Sequence, residues 1–332
     1  MIILGIDTSC DDTCVAVLKD GTEILSNVVS SQVSVHSLFG GIVPELASRK
    51  HVELIDAIYE QALREAGISL GDVDVLAVTQ GPGLIGSLLV GLCFAKGLAL
   101  ATGKPLVGIN HVEAHGMSIF LEQRVALPFI ALVVSGGHTV ILLFEETCRF
   151  RVLGSTCDDA AGEAFDKVAK FLGLGYPGGR IIEEGASGGR ADAVAFPRPI
   201  IDEPNYDFSF SGLKTSFINY IGKNGFPAER SADILSSFQE AACDVLVKKT
   251  MKAAKDLGVS RIVVGGGVAA NGRLRSLFAE RAEHQGITVH VPSPSFCMDN
   301  GAMIAVTAGC YAERGTFSPL DIKAYSRLAF GG

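Results

Sequence analysis

The chain has 332 residues, 48% hydrophobic and 19% charged, enough apolar material for a large core in two domains or one two-lobed domain, and it excludes disorder. Its 28 basic residues against 36 acidic ones leave a net charge of −8, so the whole surface is not built to grip nucleic acid, and a polyanion must be met by local basic patches or by partners. Eight cysteines without a CxxC pair exclude a disulfide framework at this size and read as reduced thiols in a cytoplasmic protein.

In chain order, residues 2–6 and 14–18 read as two strands joined by a polar loop carrying Asp7, Asp11 and Asp12, with no basic leader ahead of them. Residues 75–95 are uncharged but broken by Gly81-Pro82-Gly83, which predicts a strand, a turn and a buried helix rather than a membrane span. His111 and His115 follow in the run HVEAH. At i and i+4 on a helix two imidazoles lie about 40° apart and can share a metal, whereas Glu113 at i+2 points about 200° away from His111. The zinc-peptidase pattern HExxH puts its glutamate beside the first histidine, so the base of that chemistry is missing here. Surface or capping histidines are the competing reading. Two histidines do not complete a divalent site, and carboxylates must come from elsewhere.

A second hairpin is predicted over residues 130–134 and 139–144. Its turn, Ser135-Gly136-Gly137-His138, lets backbone N–H groups approach a phosphate. The acidic run from Asp158 to Asp166 opens a helix and favours its dipole; Asp166, deeper among small residues, is placed to bond ribose hydroxyls if it faces a cleft. Residues 188–189 and 197–204 mark a loop-rich insertion, and residues 208–215 (FSFSGLKT) alternate as a half-buried strand ending at a turn. Basic residues gather at Lys248, Lys249, Lys252 and Lys255 on one helix and at Arg273, Arg275 and Arg281 on another; singly, each group reads as a solvated face.

The run Gly265-Gly266-Gly267-Val268-Ala269-Ala270-Asn271 contains a G-x-G-x-x-A, but the next strand, 287–292, ends in prolines without an acidic residue, and the dinucleotide reading fails on that context. A nucleoside contact through the glycine turn and Asn271 remains open. No P-loop is present in the sequence. Asp299 precedes the last helix, predicted over residues 300–314, as an N-cap or as a free carboxylate, and the tail after it is expected to return to the first lobe. Each half thus opens with a hairpin and ends with strand, glycine turn and helix, a weak internal duplication.

Taken in order, GIDTSCDDT, SQVSVHSLFGGIVPELASRKH, GPGLIGSLLVG, HVEAH, VVSGGHT, DDAAGEAFDKVAKFLGLGYPGG, FSFSGLKT, GGGVAANGRLR and FCMDNGAMIA resemble the bacterial TsaD family of tRNA N6-adenosine threonylcarbamoyltransferases. The resemblance runs from residue 2 to about the last helix. It implies an α/β fold of the two-lobed actin/Hsp70/sugar-kinase class with duplicated RNase H-like lobes, one of residues 1–128 plus 296–332 and one of residues 129–295. It implies transfer of threonylcarbamoyl from threonylcarbamoyl-AMP to N6 of adenine 37 in tRNAs reading ANN codons. A divalent metal, iron(II) favoured and zinc an alternative, would sit on His111, His115 and Asp299. Val133, Val134, Ser135, Gly136 and Gly137 would line the acyl-adenylate site, with Asp166, Gly179, Glu183 and Asn271 around its nucleoside. The partners implied are tRNA, a TsaB-like paralogue of the same fold and a TsaE-like P-loop ATPase. Two positions depart from the pattern: Glu183, where some members carry Asp, and Met298, where a Thr is usual. A metallopeptidase, a small-molecule kinase or ATPase of the same superfamily, and a non-catalytic nucleotide-binding scaffold are the rival readings.

Overall fold

The computed structural model describes residues 1–327. Tertiary contacts divide the chain into two units: one of Met1–Val125, Thr147–Arg149 and the segment from Met298 onward, the other of Ala126–Glu146 and Phe150–Cys297.

The first unit holds strands β1 (Ile2–Asp7), β2 (Asp12–Lys19), β3 (Glu23–Ser31), β4 (Val75–Gly81) and β5 (Leu106–Asn110), in the order β3-β2-β1-β4-β5. β1, β2 and β3 run antiparallel in sequence, while β4 is parallel to β1 and β5 to β4. The apolar run of β1 does not alternate because both sheet faces are covered. Its helices are α1 (Val33–His36), α2 (Pro44–Ala66), α3 (Ile85–Thr102), α4 (His111–Met117) and, from the end of the chain, α11 (Gly301–Glu313). α2 starts with proline at its first turn and ends on Gly67 at φ 67°, a left-handed cap. Residues 301–309 of α11 are all buried, which is why that helix is apolar all round.

α11 starts almost in contact with the sheet. A Cβ on Gly5 would collide with the Gly301 carbonyl oxygen, and one on Gly301 would stand 2.5 Å from the Ala16 nitrogen. Only glycine at both positions lets the residues just before α11 settle on β1 and β2. Beyond α11 the tail lies along β4 and β5, as its sequence predicts: Ser318 N–H donates to the Leu106 carbonyl at 2.7 Å, and Tyr325 N–H to that of Gln80 at 3.1 Å. α3 is, among the described residues, the helix long and apolar enough to cross a membrane. It packs on α2 and β4 through the buried Leu88, Leu92, Ala95 and Ala99, but it is not the buried helix its sequence predicts: one face is covered and Ile85, Leu89 and Leu100 stay exposed, because an uncharged run does not say how many faces are packed.

The second unit repeats the plan with β6 (Phe129–Val134), β7 (Thr139–Glu146), β8 (Arg149–Ser155), β9 (Arg261–Gly265) and β10 (Thr288–His290), ordered β10-β9-β6-β7-β8. Read from β8, this is the order of the first sheet, so the duplication inferred from the hairpins is a duplication of topology. Its helices are α5 (Ala161–Phe171), α6 (Gly178–Gly185), α7 (Ser211–Asn224), α8 (Ala228–Asp256), α9 (Gly272–Glu283) and α10 (Pro294–Cys297). In its core, Phe238 meets Phe165 and Phe217 edge to face at 5.5 and 5.1 Å.

Residues 208–215 are not the strand their alternation predicts. Phe208 makes one isolated bridge to Thr156, and Ser211 already opens α7. Asp158 decides this: its carboxylate accepts from the N–H groups of Phe210 at 2.8 Å and Ser211 at 3.2 Å, supplying the acceptor that a helix start needs. Lys214, one turn in, pairs with Asp159 at 2.5 Å. The short run of alternating residues fits either period, and the remote carboxylate selects the helix.

Candidate functional site

α4 is fixed at its start by Asn110, whose side-chain oxygen accepts from the N–H groups of Val112 at 2.9 Å and Glu113 at 3.3 Å. Every residue of α4 is buried, which removes the reading of His111 and His115 as surface histidines. Their rings stand 4.6 Å apart at 76°. Asp299 joins them: its Oδ1 lies 3.2 Å from His115 Nε2 and 3.6 Å from His111 Nε2. The N-cap of α11 is Asn300, which accepts from Met303 N–H at 2.8 Å, so Asp299 is not consumed in capping. Its backbone carbonyl accepts from the Cys14 thiol at 3.5 Å, which ties the residue to β2.

The three side chains fit a divalent ion. Metal–ligand distances of about 2.1 Å in a tetrahedral arrangement put ligand atoms about 3.4 Å apart, and the Nε2–Oδ1 separations of 3.2 and 3.6 Å bracket that value. One ligand atom from each residue lies within 4.8 Å of the others. Neither buried ring nitrogen of His115 has a hydrogen-bond partner among the described residues, an arrangement costly for a dry imidazole and natural for a ligand. Three protein donors leave positions open for other ligands.

The surroundings are negative. Asp7, fully buried at the end of β1, accepts from Ser9 N–H with Oδ1 and holds Oδ2 3.4 Å from His111 Nδ1. A carboxylate in this place is suited to orient an imidazole. Burial opposes a charge on His111, yet Asp7 and Asp299 outweigh it and push the group up to about 9. Burial, with Asp299 and Asp11 adding repulsion, pushes Asp12 up to about 7, and Asp11 is raised for similar reasons. Glu113 points elsewhere, as its i+2 position predicts, and accepts from the Tyr311 hydroxyl; burial pushes it up to about 7 against that bond.

The remaining predicted residues all lie in the second unit. Val133 and Val134 are fully buried, their side chains in the core and their backbone in the sheet, where β6 pairs with β7 through both residues and with β9 through Val133; Ser135 is half-buried and donates its N–H to the His138 carbonyl at 2.8 Å, and Gly136 and Gly137 are exposed. Asp166 accepts from Gly178 N–H at 2.7 Å and so anchors the start of α6. Gly179 follows, with open space where a Cβ would sit. Glu183 of α6 accepts from Gly272 N–H at 2.7 Å at the start of α9, and Asn271 is the N-cap of α9, accepting from Leu274 N–H at 3.0 Å and donating to Gln239 at 2.9 Å. The fold therefore links Asp166, Gly179, Glu183 and Asn271 through α6 and the start of α9, with each polar side chain already engaged by backbone. The turn before Asn271 is close to the end of β6: Gly266, at φ 90°, would drive a Cβ into the Val134 carbonyl.

The sequence reading missed Asp7, Asn110 and Asn300. An acid closing the apolar strand of GIDTS was the available signal for Asp7; the two asparagines each stand just before a helix, where a cap belongs.

The family model for TsaD, tRNA N6-adenosine threonylcarbamoyltransferase, matches residues 23–306. A protein of Geotalea uraniireducens (strain Rf4) named tRNA N6-adenosine threonylcarbamoyltransferase is 54% identical over 98% of this chain and 95% of its own length. One of the same name from Geobacter sulfurreducens (strain ATCC 51573 / DSM 12127 / PCA) is 53% identical over 98% and 96%. Among solved structures, HypF of T. kodakarensis superposes with a TM-score of 0.65 at 15% identity, over 94% of this chain and 48% of that one, a likeness of fold.

Proposed function

The chain belongs to the TsaD family of tRNA N6-adenosine threonylcarbamoyltransferases, and from that premise we propose how its residues divide the work. The enzyme makes N6-threonylcarbamoyladenosine in tRNA. The donor is threonylcarbamoyl-AMP; N6 of adenine 37 in ANN-reading tRNAs attacks its carbamoyl carbon, the new C–N bond forms, the bond from carbon to the phosphate oxygen breaks, and AMP leaves. An anticodon-loop adenine meets this demand because it is unstacked more easily than one in a duplex.

His111, His115 and Asp299 hold one divalent ion. Two imidazoles and one carboxylate with open positions suit iron(II), with zinc the alternative. Such an ion supplies Lewis acidity to an oxygen ligand in an open position. The observation that carries the reading is the convergence of two buried imidazoles and a carboxylate at ligand spacing in a chain more than half identical to named transferases. Backbone N–H groups at Gly136 and Gly137, beyond the buried Val133 and Val134, receive the donor's phosphate, while Ser135, its own N–H donated to the His138 carbonyl, holds the turn. Asp166, Gly179, Glu183 and Asn271 receive its nucleoside.

The protein works in the cytoplasm with a TsaB-like paralogue and a TsaE-like ATPase. α2 and α3 leave Val52, Ile85, Leu89 and Leu100 exposed, the kind of apolar face a partner of similar build would cover. The test of function is the nucleoside composition of tRNA from cells depleted of this protein. The modified adenosine should vanish and return with the wild-type gene but not with His111→Ala; an unchanged level would refute the assignment.

A further inference from the structure

Two basic runs that are separate in sequence meet in the second unit. Lys248, Lys252 and Lys255 stand at i, i+4 and i+7 of α8 and so share one helix face. Arg281 comes from the last turn of α9, which packs on α8. Together these four cations line an open groove of about 720 Å3, with the buried Met251 and Val259 beneath them.

Helix-end electrostatics explains only part of this cluster. A lysine in the last turn of a helix offsets the helix dipole, which explains Lys255 but neither Lys248, two turns earlier, nor the approach of Arg281. Two of the acids beside them are surface partners, Asp202 with Lys248 at 2.7 Å and Asp256 with Lys252 at 2.6 Å, while the half-buried Asp244 is shared by Arg281 and Arg198. The two exposed pairs contribute little and are readily exchanged. Lys252 also stands over the Tyr206 ring, 4.6 Å from its centroid. In a chain of net charge −8, a polyanionic substrate needs such a place.

We infer that this groove docks the sugar–phosphate backbone of the tRNA substrate. The inference rests on the tRNA-modifying function above and adds where the RNA is held. Phosphates take the places of Asp202 and Asp256 on Lys248 and Lys252, Lys255 adds a third contact, and the counterions released make binding strongly salt-dependent.

The test uses the full chain loaded with metal and a fluorescent transcript of an ANN-reading tRNA. Lys248→Gln, Lys252→Gln and Lys255→Gln combined should bind about tenfold more weakly at moderate salt and lower the slope of log affinity against log salt by about 2 to 3. Asp202→Asn with Asp256→Asn should instead bind more tightly than wild type, a gain that damage to the fold would not produce. If both variants match wild type in affinity and slope, the groove does not hold RNA. If the lysine variant binds tRNA normally but loses a protein partner, the groove is a protein contact and the inference fails. Wild-type protein that neither binds nor modifies tRNA would remove the function itself, and the groove's role with it.

Discussion

Tyr311 donates its hydroxyl to the Glu113 carboxylate, 3.0 Å from one oxygen and 3.1 Å from the other. The glutamate between the two histidines is thus engaged by α11. A peptidase would need it as general base, and losing such a base costs about 10²–10⁴ in rate. Glu113→Gln keeps an acceptor for Tyr311 and removes a buried acid. Its transfer rate should match wild type; a hundredfold loss with metal and fold intact would show Glu113 in the chemistry. Tyr311→Phe should cost about 1–3 kcal/mol in stability, read from denaturant unfolding, because Glu113 loses its donor.

Asp299 and Asn300 divide two roles that either could have filled. Asp299→Asn should melt near wild type in excess metal, yet lose metal on dialysis, as shown by elemental mass spectrometry, together with transfer activity. Asn300→Ala should keep its metal and lose about 1 kcal/mol of stability, the worth of an N-cap. Metal retained in Asp299→Asn but lost in His111→Ala would send the search to another carboxylate.

Asp7 touches His111 from the side away from Asp299. Asp7→Asn keeps the shape and removes the charge, so metal affinity should fall about 10–100-fold, as for other outer partners of ligating histidines. Competition with a calibrated chelator measures it. Unchanged affinity would reduce Asp7 to a buried support of the β1–β2 loop.

Asn271 and Asp166 are already bonded to backbone, so their truncation carries a structural cost beside any loss of ligand. Asn271→Ala should lose about 1 kcal/mol of stability, and each alanine variant should weaken threonylcarbamoyl-AMP binding by about 1–3 kcal/mol in calorimetry. Metal content should stay at wild type. Asn271→Asp retains the cap but not the amide donor; normal donor binding in that variant would confine Asn271 to capping.

The exposed apolar residues of α3 give the partner reading its own test. Ile85→Asp with Leu89→Asp should abolish co-elution with the TsaB-like paralogue while the melting temperature holds, since neither side chain is buried in the chain's own core. Co-elution at wild-type strength would place the partner on another face.

The sequence by itself determined the helix-spaced histidines, the outward turn of Glu113, the two hairpins and the apolar α3, because these are local matters of period and residue type. Its ordered motifs also carried the family. Through the family they also carried Asp299 as the expected third ligand, but how it comes beside the histidines was decided only in three dimensions. Asp299 reaches His111 across 188 positions because Gly5 and Gly301 let α11 start against the sheet, and no local pattern encodes that approach. The same holds for Asp158, whose carboxylate turned an alternating FSFS run into the start of a helix. It holds again for Asn300, which caps α11 while its neighbour's carboxylate faces two imidazoles.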